Sequence, residues 1–296
     1  MAANVAGDDR IGGFRFVRTI HPGATSVVLE VVQESTGRRF ALKQLSESRA
    51  TESSERRLFA FEAKLGMELR HPNLIHVHEY IRDPVQPYFI MDLFPSLHMK
   101  MPIARPAMYP MPVHQLHRII TQAATALQYM HDKGWVHRDV KPENILVSKG
   151  GDVRVVDYAL AMRPYGGLKR LFSKKAPVQG TPSYMSPEQT LGQPPTPAAD
   201  IYSFGITCYE IACSRPPFRA NSQNELLSKH INEKPLPLTV HNKDITKEFN
   251  DIVLQMISKT PKGRPESLRE FLAKFRSMRI YSSDPDPTAQ RDDQLS

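Results

Sequence analysis

The chain is 296 residues long, 40% hydrophobic and 24% charged, the balance of an ordinary globular protein with length for a large core and two lobes. Its Lys and Arg outnumber Asp and Glu by 39 to 31, a net charge of +8, yet they form no stripe interleaved with aromatics, so no nucleic-acid partner is expected. The longest apolar run, 201–213, is shorter than the ~20 residues a bilayer requires, and the N-terminus lacks the basic start and apolar core of a secretion signal, so a cytoplasmic protein without a membrane segment is expected.

Residues 1–13 read as a polar tail. Beyond it, 14–20, 27–32 and 38–44 read as strands separated by turns at Pro22-Gly23 and Thr36-Gly37. A helical pattern over 52–69 follows, and strands over 76–82 and 88–91 complete a small β-rich lobe, 14–91. His76 and His78 flank Val77 and so share a strand face, and no zinc spacing accompanies them. A crossing over 92–95 leads to a mostly helical lobe, 96–276. Its first stretch, 95–112, holds five prolines and four methionines, a density that forbids a regular helix. An irregular loop and a docking surface are both open readings there. Helices are expected over 113–133, capped by Gly134, and over 198–213, 222–231, 246–258 and 266–276. Cys208 and Cys213 lie on different faces of the second of these and read as buried thiols rather than a disulfide. Val136, 145–147 and 153–156 read as short strands, the last two joined by a hairpin at Gly150-Gly151-Asp152. Residues 277–296 read as a tail, mostly disordered.

One segment concentrates chemistry. His137-Arg-Asp-Val-Lys-Pro-Glu-Asn144 is followed thirteen residues later by Asp157, which gathers a general base, a cation and two oxygen ligands. Phosphoryl transfer needs an alcohol positioned, magnesium held against the phosphates, and spreading negative charge neutralised. Asp139 can accept the proton of an attacking hydroxyl, Lys141 can reach the transferred phosphate, and Asn144 with Asp157 can ligate magnesium.

In these residues the chain resembles the eukaryotic-like, Hanks-type Ser/Thr protein kinases, whose catalytic loop reads His-Arg-Asp followed by Lys and Asn at these spacings. The resemblance spans 14–276 and implies an α+β, two-lobed protein-kinase fold. It makes Lys43, in Ala41-Leu42-Lys43, the residue that grips the α- and β-phosphates of ATP, and Glu62 its carboxylate partner. It makes Met91 the gatekeeper, places Asp92 and Phe94 in a hinge whose backbone bonds adenine, and sandwiches the ring between Val28, Ala41 and Leu146. Ile20 and Gly23 fall in the phosphate-covering loop. Gly180-Thr-Pro-Ser-Tyr-Met-Ser-Pro-Glu188 then closes the activation segment, with Thr181 bonding Asp139 and Lys141 to shape the seat for a substrate Ser or Thr. Asp200 is expected to brace the catalytic loop, and Arg264 to pair with Glu188. The implied cofactors are ATP and Mg2+, with Mn2+ as a substitute. The implied partners are proteins bearing Ser or Thr, with autophosphorylation through a transient homodimer. Tyr184-Met-Ser-Pro-Glu-Gln189 and Arg215-Pro-Pro-Phe218 look most like bacterial members.

The chain departs from the family pattern in three places. The phosphate-covering loop, Ile20-His-Pro-Gly-Ala-Thr-Ser-Val-Val28, keeps only Gly23 of the usual three glycines, which predicts weakened ATP binding. Asp157-Tyr158-Ala159 stands where Asp-Phe-Gly is usual. Tyr158 fits the Phe pocket if its hydroxyl finds a partner, and Ala159 resists the flip that swings Asp157 out. The proline-rich stretch replaces a short helix. Lys169, Arg170, Lys174 and Lys175, with Arg163, read as a solvated loop, as charges that favour acidic or phosphorylated partners, or as a clamp, aided by Arg138, for a phosphate on Ser173, Thr181 or Ser183. The depleted glycine loop keeps a pseudokinase scaffold as the alternative function, whereas the Ser-Pro-Glu segment and Arg264 argue against a small-molecule kinase.

Overall fold

Period-two alternation of apolar residues builds the first of two units, Met1–Pro95. The computed structural model describes residues 10–164, 176 and 178–285, so the basic cluster at Lys169, Arg170, Lys174 and Lys175, and Ser173 with it, lies outside the described residues. Strands β1 (Arg10–Ile11), β2 (Phe14–Pro22), β3 (Ser26–Gln33), β4 (Arg39–Leu45), β5 (Val77–Ile81) and β6 (Tyr88–Met91) form an antiparallel sheet in the order β1-β2-β3-β4-β6-β5. Leu29 and Val31, Phe40 and Leu42, and Tyr88 and Ile90 turn to one face and pack with Phe14. The opposite face meets α1 (Glu47–Ala50) and α2 (Ser53–Glu68) in a cluster of Leu45, Ala50, Phe59, Ala63, Val77 and Phe89. Helix α2 buries Phe59, Glu62, Ala63 and Gly66, the i, i+3, i+4, i+7 stripe of one helix face, so Glu62 is carried inward with apolar neighbours.

The second unit, Ser96–Ser296, begins with β7 (Leu97–His98) and α3 (Lys100–Ala104), followed by α4 (Leu116–Asp132). Helix α3 corrects the expectation that proline density forbids a helix in this stretch. Pro102 falls in its first turn, where backbone N–H groups have no intrahelical acceptor to lose. Helix α4 turns Leu116, Ile120, Ala123, Leu127 and Met130 inward. It ends at Gly134, whose φ of +75° lets the Trp135 N–H reach back to the Met130 carbonyl at 2.8 Å. The expected hairpin is β8 (Ile145–Val147) with β9 (Val153–Val155), and β7 extends it to three strands.

Four helices follow: α5 (Pro187–Thr190), α6 (Pro197–Cys213), α7 (Gln223–Asn232) and α8 (Lys247–Met256), then α9 (Leu268–Phe275) closes the run. Ser186, Ser222, Thr246 and Ser267 cap α5, α7, α8 and α9 by accepting a backbone N–H. Helix α6 is buried nearly throughout, its polar Asp200, Ser203, Thr207 and Glu210 included, and both of its cysteines are free. Burial pushes the Cys213 thiol up to about 12.

Residues 277–285, assigned to the tail by the sequence, pack against this unit instead. Ile280 and Tyr281 are buried, the Tyr281 hydroxyl donates to the Ala212 carbonyl at 3.1 Å, and the Thr246 N–H donates to the Ile280 carbonyl at 3.0 Å. These two buried side chains, with the backbone bonds beside them, anchor the stretch. The rest of the tail lies outside the described residues. Among the described residues no helix is long and apolar enough to cross a membrane.

Candidate active site

A carboxylate at the start of α6 fixes the backbone of the His137–Asn144 segment. Asp200 is fully buried; its Oδ2 accepts the His137 N–H at 2.7 Å and its Oδ1 the Arg138 N–H at 2.8 Å. His131 Nε2, from α4, lies 2.8 Å from the same Oδ2. Burial works to raise the Asp200 carboxyl, but the His131 hydrogen bond, the neighbouring His131 and His137 and the Arg138 N–H together hold it below the usual carboxylate range. Arg138 needs this anchorage because its φ of +69° lies in the left-handed region, which a side chain disfavours. Its guanidinium donates to the Leu160 carbonyl and to Met162 Sδ.

The next residue, Asp139, is the centre of a hydrogen-bonded group. Its Oδ1 accepts the Thr181 N–H at 3.0 Å and the Thr181 hydroxyl at 2.8 Å, and its Oδ2 accepts Lys141 Nζ at 2.6 Å. Lys141 Nζ also donates to Thr181 Oγ1 at 2.7 Å, closing the triangle. Asn144 Nδ2 donates to the Asp139 carbonyl at 2.8 Å, which turns the amide oxygen away from Asp139. The Asn144 carbonyl accepts the Val156 N–H at 3.1 Å, placing Asp157 one residue from this contact, with a φ of +69° of its own. Amide and carboxylate oxygens are the donor types that magnesium takes.

Tyr158 is buried, and its hydroxyl donates to the Val155 carbonyl at 3.0 Å, so the partner that its fit required is present. Arg163, the described member of the basic cluster, lies over the Trp135 ring at 4.4 Å.

In the first unit, Lys43 Nζ meets both oxygens of Glu62, at 2.7 and 2.9 Å. Strand register explains the pairing. Lys43 stands opposite Val28 on β3 and Phe89 on β6, and Ala41 stands opposite Met91, so all five share the sheet face that α2 covers. The Asp92 N–H donates to the His76 carbonyl at 3.0 Å, which leaves the Asp92 carbonyl, not its N–H, as the group that can accept from a base. Phe94 is half-buried and Ile20 is exposed. At Gly23 an added Cβ would lie 2.7 Å from the Ser26 carbonyl, so the turn between β2 and β3 requires glycine there. Leu146 lies on β8, opposite His98 and Arg154.

Glu188 and Arg264 form a buried bidentate pair, at 2.6 and 2.9 Å, and Arg264 also donates to the carbonyls of Ala198, Ser258 and Lys259. A second buried cluster escapes the sequence. Lys100 of α3 donates to Glu210 at 2.6 Å and to the Tyr184 hydroxyl at 3.1 Å, and that hydroxyl donates to Glu210 at 2.5 Å. Burial first, then the Glu210 charge, pushes the Tyr184 phenol up. A lysine amid prolines and methionines gives no sign of a partner more than a hundred residues away.

A family model for the protein kinase domain matches residues 14–274. The chain belongs to the protein kinase domain family. The chain is 31% identical over 266 residues to a probable serine/threonine-protein kinase of Streptomyces coelicolor, covering 88% of this chain and 39% of that one. It is 30% identical over 253 residues to the serine/threonine-protein kinase PknB of Mycobacterium leprae, covering 84% and 40%. It is also 30% identical over 282 residues to PknA of Mycobacterium tuberculosis, covering 94% and 64%. The chain therefore spans about two-fifths to two-thirds of the length of these bacterial relatives.

Proposed function

We propose that this chain is an ATP-dependent protein-serine/threonine kinase that transfers the γ-phosphate of ATP to Ser and Thr hydroxyls of proteins, itself included. The observation that carries the reading is the closed group of Asp139, Lys141 and Thr181, in which one carboxylate is bonded on both oxygens. A hydroxyl of the substrate takes its place beside Asp139, which accepts the proton as the oxygen attacks the γ-phosphorus and the bond from that phosphorus to the bridging oxygen breaks, releasing ADP. Lys141 neutralises charge on the phosphoryl oxygens, and Thr181 holds the seat in shape. Lys43, set by Glu62, binds the α- and β-phosphates. By the family resemblance, Val28, Ala41 and Leu146 would contact adenine, Met91, Asp92 and Phe94 its edge, and Ile20 and Gly23 the phosphates. Asn144 and Asp157 would hold Mg2+, or Mn2+ in its place, which when bound screens the phosphates and orients the γ-phosphate.

The test is incubation with labelled ATP, magnesium and a Ser/Thr-bearing protein, comparing the parent chain with Asp139→Asn. Phosphoserine or phosphothreonine formed by the parent and lost in the variant supports the reading. Nucleotide binding without label in either supports a pseudokinase scaffold, and label only in small metabolites contradicts a protein substrate.

A further inference from the structure

Gln189 is buried on α5 and has no part in the chemistry set out above. Its side-chain Nε2 carries two N–H groups, and both are used: one donates to the Arg138 carbonyl at 2.8 Å, the other to the Gln179 carbonyl at 2.7 Å. Those carbonyls belong to the peptide that leads into Asp139 and to the one that leads into Gly180 and Thr181. One amide thus joins the two backbone stretches whose side chains meet in the Asp139–Thr181 contact. We infer that Gln189 is a positioning residue for catalysis, which sets the distance between the general base Asp139 and Thr181 by bridging the backbones that carry them.

The surroundings fit a device built for position. Gln189 is fixed at its own backbone, where its N–H donates to the Ser186 hydroxyl at 3.2 Å, and its neighbour Glu188 is held by Arg264. Arg138, with its left-handed φ, is held at its N–H by Asp200 and at its carbonyl by Gln189, so both peptides flanking the strained residue are pinned. Gly180 has a φ of +128°, and a Cβ there would come within 2.9 Å of Gln189 Nε2 and 3.1 Å of the Arg138 carbonyl. The bridge therefore needs glycine at 180 to close. Gln189 Oε1 is buried without a hydrogen-bond partner among the described residues. The side chain gives up one acceptor to deliver two donors, a cost that plain packing with an apolar side chain avoids.

This inference rests on the kinase reading, and the experiment separates the two. Gln189→Met keeps the length of the side chain and removes both donors. Two quantities are read on the full chain: phosphotransfer kinetics, and hydrogen exchange at the Thr181 amide, which reports the Thr181 N–H bond to Asp139 whether or not the chain has activity. The variant is expected to exchange the Thr181 amide about tenfold faster and to lower kcat by up to about 100-fold, the scale of a misplaced catalytic group, with the KM for ATP unchanged. Because Gln189 acts through Thr181, Gln189→Met should add less than about twofold to the loss in Thr181→Ala, the signature of coupled positions. If Gln189→Met does not fold, Gln189→His, which keeps one ring N–H, replaces it and should show an intermediate loss. Unchanged Thr181 exchange overturns the inference, as does a kcat loss that multiplies fully with that of Thr181→Ala. An inactive parent whose Thr181 exchange still responds to Gln189→Met contradicts the kinase reading and leaves the bridge standing.

Discussion

Asp200 accepts the Arg138 N–H at 2.8 Å, so a fully buried carboxylate on α6 holds a residue whose φ is +69°. Asp200→Asn replaces one accepting oxygen with an NH2 group that must face a donor. The expected result is a stability loss of about 2–3 kcal/mol, seen as a lower urea midpoint, together with a fall in kcat, because Asp139 is the next residue along. A variant with parental midpoint and kcat would show that the loop holds its shape without this bond.

Arg264 should matter for folding and not for chemistry. Removing it strands the Glu188 carboxylate in the interior, so Arg264→Met is expected to cost about 3–5 kcal/mol. The double variant Glu188→Leu with Arg264→Met should recover part of that loss, since no buried charge is then left unpaired. Equilibrium unfolding of both checks this, and a double variant less stable than the single one would contradict it.

His230 gives acid sensitivity. Burial first, then the Lys259 charge, lowers its pKa from 6.5 to about 4. The unfolded chain therefore takes up a proton that the folded chain refuses between those values. Stability from this group is complete above pH 6.5 and falls as the pH drops toward 4, by about 3 kcal/mol across the window. Unfolding free energies measured over that range should flatten in His230→Leu; an unchanged slope would place the sensitivity elsewhere.

The β2–β3 turn, proposed above to cover the phosphates, needs Gly23, whose N–H donates to the Ser26 carbonyl at 2.9 Å in a space that excludes a Cβ. Side chains at His21 and Ser26 stand where close backbone approach to phosphate favours glycine. His21→Gly with Ser26→Gly should tighten ATP binding about tenfold, or 1.4 kcal/mol, by calorimetric titration. An unchanged affinity would show that these positions do not limit binding.

The sequence was most legible where chemistry or backbone geometry restricts residue type. Glu62 beside Lys43, Thr181 beside Asp139 and Lys141, and Arg264 beside Glu188 are contacts that the motifs announce, and each is present at 2.6 to 3.0 Å. Strands β2 to β6 were legible because a period of two has one reading, whereas β1 (Arg10–Ile11) was not, since it falls in the stretch read as a polar tail and two residues carry no period. Helix α3 was not, because a proline count does not say which proline falls in a first turn. Nor were Ile280 and Tyr281, whose burial depends on Ala212 and Thr246, far away in sequence. Gln189 and Lys100 were silent for the same reason: a polar side chain shows nothing of its partners until the backbone brings them near.

In the proposed reaction Asp139 acts as the base while other residues bind the nucleotide. Asp139→Asn, measured for both Mg-ATP affinity and kcat, tests it most directly. Nucleotide affinity is expected within about threefold of the parent, with a kcat lower by about 10²- to 10⁴-fold. Phosphotransfer at the parental rate by the Asp139→Asn chain would contradict it.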